Sequence, residues 1–391
     1  MYKNSTHTLR MKNRHFRAAL ALSVAATFAA ATHDAGAAAA SSKLLPLNDN
    51  SAAPFKGVYR WGQSGCNAGH YDSYAKWVNR SGVWAVDFMP TEGWDKIVGE
   101  GWQLGTWGPW VAKDPAHRRY ILSVPLIPGP WDGSGPHQGP DARVPVSLEI
   151  GAKGDYNKYF KKLGENLVSY GLSNTVLRLG WEFNGGWYAW RADSAEKAPR
   201  FAAYFRQIVT AMREVEGGDF KFVWNPNIQS WWAYDPELAW PGDDYVDYIG
   251  LDIYDQSWIK DTYPIPVNAK PKEALERQKR AWNDDVNSES RHGLSYWPKF
   301  AKRHGNKPLC LPEWGTCIRD DGHGGGDNPF YIEEMYKFIH NPANNVIFEC
   351  YFDVTAGDGD HQLVPDPKGK RETQFPKSAA KYLELFALPQ K

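Results

Sequence analysis

Short apolar runs recur along the chain after Lys56, separated by longer stretches in which apolar residues return every third or fourth position. The runs cover residues 57–61, 84–89, 120–127, 175–183, 221–225, 248–254, 308–314 and 346–353, and read as strands. Helical patterns lie between them at 70–80, 155–170, 196–215 and 329–340. The period is clearest in 196–215, where Phe201, Tyr204, Phe205, Ile208, Val209 and Met212 fall on one face. A last helix at 378–386 would close the ring. Strands alternating with helices predict a parallel sheet with crossover helices, and eight such units predict a closed (β/α)₈ TIM barrel. An open doubly wound sheet would carry a Gly-rich phosphate turn after its first strand. Here that position holds Gln63-Ser64-Gly65-Cys66, which is no such turn. The polar stretch 255–295 predicts a helix and a loop on the barrel rim.

The N-terminal segment follows a different pattern. Lys3, Arg10, Lys12, Arg14 and Arg17 precede an Ala-rich apolar stretch, and Ala35-Gly36-Ala37 has the small-x-small form of a cleavage site. Residues 1–37 therefore read as a signal peptide, too short in its apolar part to anchor the chain in a bilayer. A flexible segment, 38–54, would lead into one catalytic barrel, 55–391. The expected location is outside the cytoplasm, periplasmic or secreted, with no membrane span. Removing 1–37 takes five basic residues and one acidic residue from the 45 of each sign, leaving a net charge of about −4. A mildly acidic chain without a basic run is a poor ligand for nucleic acid. No linker or repeat divides the rest, and a monomer is expected.

Composition changes the picture in one respect. The chain has 19 Trp and 20 Tyr. Flat side chains fill cores, and they also stack on the apolar faces of sugar rings. Trp107, Trp110, Trp131, Trp187 and Trp190 fall in stretches rich in Gly and Pro, which favours a sugar-gripping surface. The four cysteines, Cys66, Cys310, Cys317 and Cys350, fit no metal spacing. Cys310 and Cys350 lie in strand runs as candidate buried thiols, and Cys66 and Cys317 each follow a strand and are a candidate disulfide. Neither a cofactor nor a metal is expected. The polar loop of Asp320, Asp321, His323 and Asp327 is the nearest thing to a metal cluster, and reads better as a loop over the cleft.

Chemistry in such barrels gathers at the carboxyl ends of the strands. The fourth run ends Arg178-Leu179-Gly180-Trp181-Glu182-Phe183-Asn184, followed by Gly185-Gly186-Trp187-Tyr188-Ala189-Trp190. Strand alternation would put Arg178, Gly180 and Glu182 on the interior face. The seventh run ends Pro312-Glu313-Trp314. Two carboxyl groups facing one cleft are what glycosidic cleavage needs: one protonates the leaving oxygen, the other attacks or activates water. Asp87 and Glu92, after the second strand, are further candidates to line the cleft, whereas His70 and His137 read as plain surface residues. Neither Gly-x-Ser-x-Gly nor His-Glu-x-x-His occurs, so a serine hydrolase or zinc protease has no support.

These segments resemble glycoside hydrolase family 26, in the clan A barrels. The Arg178–Trp190 segment is similar to its acid/base segment, Trp224-Asn225-Pro226-Asn227 to its fifth-strand motif, the block from Trp240 through Asp252 to Tyr254 to its sixth, and Lys307 to Gly315 to its nucleophile strand. The resemblance implies a retaining β-glycosidase with Glu182 as acid/base and Glu313 as nucleophile, and endo action is expected because no large insertion blocks the cleft. It also implies that Tyr254 hydrogen-bonds the nucleophile, that Arg178 lies beneath the acid/base and that Trp187 walls the cleft. Trp181, Asn184, Trp190, Trp224, Asn225 and Trp314 complete the expected substrate-binding set. In one place the chain departs from the family. Most family members carry His before the acid/base glutamate where this chain has Trp181, so the substrate is left open among mannan-like polymers, β-glucan and a bacterial exopolysaccharide. A transglycosylase or a non-catalytic polysaccharide-binding barrel remains the alternative.

Overall fold

The computed structural model describes residues 54–60, 67–99, 101–130, 135–228, 232–365 and 372–389. The expected signal peptide, residues 38–53, Cys66 and Trp131 lie outside them. Eight strands form the sheet: β1 (Phe55–Tyr59), β2 (Trp84–Phe88), β3 (Arg119–Val124), β4 (Val176–Leu179), β5 (Lys221–Trp224), β6 (Tyr248–Tyr254), β7 (Leu309–Gly315) and β8 (Val346–Phe352). Each pairs in parallel with the next, and β8 pairs with β1, so the sheet closes into a barrel. The described residues all fall in one unit, Lys43–Lys391.

Both faces of every strand are covered, which is why the strands read as continuous apolar runs. One set packs inside the barrel: Trp84 and Val86 of β2, Ile121, Val176, Val223, Tyr248, Cys310, and Phe348 with Cys350 of β8. The alternate residues, such as Leu122, Leu177, Phe222, Trp224, Ile249, Leu251 and Leu309, join the larger core beneath the helices. The helix Ala198–Arg213 buries the six apolar residues that its period marks. Helices also form at Ala68–Trp77, Asn157–Ser169, Pro329–Ile339 and Pro376–Phe386. In the 255–295 stretch the rim helix is Pro271–Ala281, which runs on into a π-helical turn, Trp282–Val286.

Two strand ends depart from simple alternation, and both matter to the site. β4 stops at Leu179, well short of Phe183, because the chain turns: Gly180 has φ 57° and Glu182 has φ 51°. Glycine is needed at the first, since a Cβ there would press on Leu126 in a left-handed conformation. Glu182 thus reaches the barrel mouth by a turn and not by strand parity.

In β7, Gly250 of β6 pairs with Cys310 while Asp252 pairs with Glu313, so β7 spends one residue more than its neighbour. The same excess recurs against β8, where Leu311 pairs with Glu349 and Trp314 with Tyr351. Pro312 lies within this bulge, where a missing N–H costs no ladder bond. Cys310 and Glu313 therefore both face the interior although three residues apart, and Trp314 turns outward.

The closed interior leaves little room at β1. A Cβ on Gly57 would overlap Cys350 Sγ and lie 3.2 Å from the Trp84 carbonyl oxygen. Gly57→Ala should therefore cost about 1–3 kcal/mol by overpacking. Urea unfolding checks this, and pairing the change with Cys350→Ala should restore most of the loss. An unchanged midpoint in the single variant would mean that Cys350 swings aside.

Candidate active site

The site is organised around Arg178, the last inward residue of β4, which is fully buried. Its Nε donates to Asn225 Oδ1 at 2.7 Å and its Nη1 to Ser123 Oγ at 2.8 Å. Its Nη2 donates to Asp252 Oδ2 and Glu313 Oε1, each at 2.6 Å. Burial opposes a charge here, but Asp252 and Glu313 outweigh it and keep the guanidinium protonated. Burial also pushes the Asp252 carboxyl well above its usual range, against the pull of Arg178. Glu313 accepts a second hydrogen bond at Oε2, 2.7 Å from the Tyr254 hydroxyl. A guanidinium and a phenol thus fix both of its oxygens.

Glu182 has other surroundings. Its backbone N–H donates to the Asn225 carbonyl at 2.7 Å, which pins the turn to the end of β5. Asn227 Nδ2 donates to its Oε1 at 2.6 Å and Trp187 Nε1 to its Oε2 at 2.9 Å. Burial, followed by the nearby charge of Glu313, raises its pKa to about 7, against the two hydrogen bonds and Arg178. Beneath it Trp181 is enclosed by Phe88, Tyr188 and Trp190, and its Nε1 donates to the Tyr188 hydroxyl at 2.6 Å.

The residues predicted from sequence divide into those that face the cleft and those that support it. Glu182, Glu313, Arg178, Asn225 and Tyr254 are joined by the bonds above. Asn184 braces the same corner: its side chain exchanges bonds with the Asn227 N–H and carbonyl. Trp187 is 41% exposed and the one expected tryptophan that both reaches a carboxyl group and stays open to a ligand.

Trp181 and Trp190, expected to bind substrate, are each 1% exposed and build the floor under Glu182, with Trp190 Nε1 donating to the Trp181 carbonyl. Trp224 and Trp314, expected in the same set, face the helix layer instead. Trp224 stacks on Phe300, and Trp314 lies against Tyr382 and Phe386 with its Nε1 on Glu349. Strand parity explains both: each is next in the chain to an inward residue, Asn225 or Glu313. Trp107 and Trp110, expected in a loop, are buried in the helix Gly101–Ala112.

Asp87 faces away from the cleft, its Oδ2 accepting from Gln103 and Trp107 of that helix. Glu92 is exposed, and His137 is buried rather than on the surface, its Nε2 at 2.9 Å from the Val144 carbonyl. The acidic loop gathers no metal set: Asp321 pairs with Arg319, His323 Nδ1 is 3.0 Å from the Ser257 carbonyl, and Asp327 caps the helix Pro376–Phe386 through Lys377 and Ser378. Cys317 carries a free thiol, and Cys66 lies outside the described residues.

Ser123, Asp252 and Asn227 were not among the expected site residues, although Asn227 and Asp252 stand in the fifth- and sixth-strand motifs. Asp252 had a signal, since Gly250, Asp252 and Tyr254 alternate on one face of β6; Ser123 had only its polarity within an apolar run.

Comparison with known proteins gives the same kind of barrel. Residues 158–276 match the family described as glycosyl hydrolase family 26. Endoglucanase H of Acetivibrio thermocellus is 26% identical over 207 residues, which are 51% of this chain and 19% of the relative, so the chain spans about a fifth of that protein's length. The catalytic domain of an endo-beta-1,4-mannanase from Bacillus sp. JAMB-750 is similar with a TM-score of 0.57 at 18% identity, over 88% of this chain and 89% of that one. A modular endo-beta-1,4-mannanase from Cellulomonas fimi gives 0.56 at 18% identity, over 85% of this chain and 71% of that one. These solved structures, at such low identity, speak for the fold, while the match at 158–276 spans β4, β5 and β6 and so includes Glu182 and Tyr254. The chain carries a glycoside hydrolase family 26-like domain of clan A, divergent from the mannanases and the endoglucanase compared with it.

Proposed function

We propose that this chain is a retaining endo-acting β-glycosidase that hydrolyses a polysaccharide by double displacement. The observation that carries the reading is the unlike treatment of two buried carboxyl groups in one barrel mouth. Glu182, raised to about 7, can hold a proton at neutral pH and deliver it to the leaving glycosidic oxygen. Glu313 has both oxygens held by donors, the setting of a fixed nucleophile. It attacks the anomeric carbon as the proton from Glu182 reaches the departing oxygen. Glu182, now ionised, then takes a proton from water, which releases the sugar from Glu313. Trp187, 41% exposed, offers a platform for a pyranose ring.

The substrate class is a β-linked polymer: mannan-like, β-glucan or a bacterial exopolysaccharide. Trp181 leaves no imidazole beside Glu182, which favours the latter two over mannan. A screen of purified protein on mannan, mixed-linkage glucan, xylan and a bacterial exopolysaccharide, with product sizing, tests the reading. Short oligomers from mid-chain cleavage are expected, and NMR should find the first-formed anomer with the configuration of the substrate. Retention goes with carboxyl groups ~5–5.5 Å apart, inversion with ~6.5–9.5 Å. An inverted first product would refute the double displacement.

We also propose that the protein is exported after cleavage behind Ala37. N-terminal sequencing of material recovered from periplasm and medium should begin near Ala38; an uncleaved N-terminal segment there would contradict it.

Exchange of the two glutamates should separate their roles. Glu182→Ala should lower polysaccharide turnover by on the order of 10²–10⁴. It should spare the first step on aryl glycosides, whose leaving groups need little proton donation, and azide should restore the second. Glu313→Ala should fail on both substrates, and azide should not bring back a retained product. Activity on aryl glycosides in Glu313→Ala, with none in Glu182→Ala, would reverse the assignment.

The pH profile carries a further expectation. The acid must be protonated, so kcat/KM should fall as pH rises through about 7. Asn227 donates to Glu182 and favours its anion; Asn227→Ala removes that bond, raises the pKa, and should move the alkaline limb to higher pH. A limb that stays in place or moves down would show that Glu182 does not set it.

A further inference from the structure

We propose that Cys317, Asp358 and His361 form a three-ligand site for a borderline-soft divalent cation, zinc in the first place, one ring away from the nucleophile. The three side chains offer a thiol sulfur, a carboxylate oxygen and an imidazole nitrogen, all within 4.8 Å of one another. Cys317 Sγ lies 3.8 Å from His361 Nε2, and Asp358 Oδ1 lies 3.4 Å from the same nitrogen. A tetrahedral zinc with ordinary bond lengths separates sulfur from nitrogen by about 3.6 Å and nitrogen from oxygen by about 3.3 Å. The two separations that involve His361 thus differ from those of a bound ion by only a few tenths of an ångström, and the exposed Asp358 side chain can swing to close the third.

The orientation is set by the surrounding chain. His361 Nδ1 faces the Thr316 carbonyl at 3.0 Å, which takes its proton and leaves the Nε2 lone pair aimed at Cys317 and Asp358. A carbonyl behind the imidazole is the usual outer partner of a metal-bound histidine. The two segments that carry the ligands are tied by a short antiparallel ladder, Ile318–Arg319 with Gly359–Asp360. Cys317 and His361 are both fully buried, whereas the Asp358 side chain is 41% exposed and opens the site to solvent. Solvent can thus supply a fourth ligand, and an ion has a way in. The thiol and carboxylate together neutralise a divalent charge once the Cys317 proton has left to bulk water. Thiolate and imidazole favour zinc over calcium or magnesium, which take oxygen ligands.

The position gives the site its interest. The His361 ring lies 4.7 Å from the Tyr254 ring, and the Tyr254 hydroxyl donates to Glu313. The sequence offers no metal signature here because Cys317 and His361 stand 44 residues apart.

The test uses the full-length protein, stripped with chelator and dialysed against zinc alone or cobalt alone. One zinc per chain is expected, with affinity falling at least about tenfold in Cys317→Ser and in His361→Gln. Asp358→Asn changes an exposed side chain that folding can spare, and should also weaken binding. Cobalt should give a thiolate-to-metal charge-transfer band in the near ultraviolet, present in the unaltered protein and absent from Cys317→Ser. Circular dichroism of each variant separates lost binding from lost folding. The proposal is overturned if the unaltered protein takes up no stoichiometric zinc, if binding survives unchanged in Asp358→Asn and Cys317→Ser, or if Cys317 proves to be held in a disulfide.

Discussion

The structure of the mouth depends on one buried guanidinium. Arg178 joins side chains from β3, β6 and β7 and the residue that follows β5, so the ends of five neighbouring strands meet on one cation. A charge so enclosed is tolerable only while its partners stay in place; removing one partner of a buried pair typically costs about 3–5 kcal/mol. That penalty is what fixes Glu313. The carboxyl group cannot leave its orientation without stranding Arg178, so the proposed nucleophile is held before any sugar arrives. Asp252 takes the second Nη2 contact, with burial pushing its carboxyl above the usual range against the pull of Arg178.

Against this fixed partner, the proposed acid has been given a softer mounting. Its hydrogen bonds come from neutral donors, an amide and an indole, and its floor is aromatic. The two groups thus differ less in depth than in the company they keep. A cationic donor near one and uncharged donors near the other are enough to divide the chemical labour.

Much of the fold was legible in the sequence because every strand is covered on both faces, leaving an apolar run, while the outer helices keep a clear 3.6-residue period. The paired glutamates were legible because their strand ends lie among motif residues of a characteristic kind. Three features were not. The turn at Gly180 is invisible where apolar residues continue to Phe183, since hydropathy does not report φ. The destination of each tryptophan was closed to composition: Trp107, Trp190 and Trp224 look the same in sequence as Trp187, yet only packing decides which stays open. Contacts across long separations were also hidden. Ser123 meets Arg178 55 residues later, and no local spacing encodes that meeting.

The extra residue in β7 has a consequence for anyone who aligns or transplants this strand. Substitution at Pro312 changes only a side chain, but holding the same residues in an unbulged ladder changes parity, sending Glu313 among the helices and Trp314 into the cleft. An alignment that places its gap one residue away would match a nucleophile to a core position while keeping every flanking letter plausible. A designer who grafts this strand onto a regular barrel would inherit the sequence of the site without its function. What must be carried over is the bulge between Cys310 and Glu313, together with the side chains at its two ends.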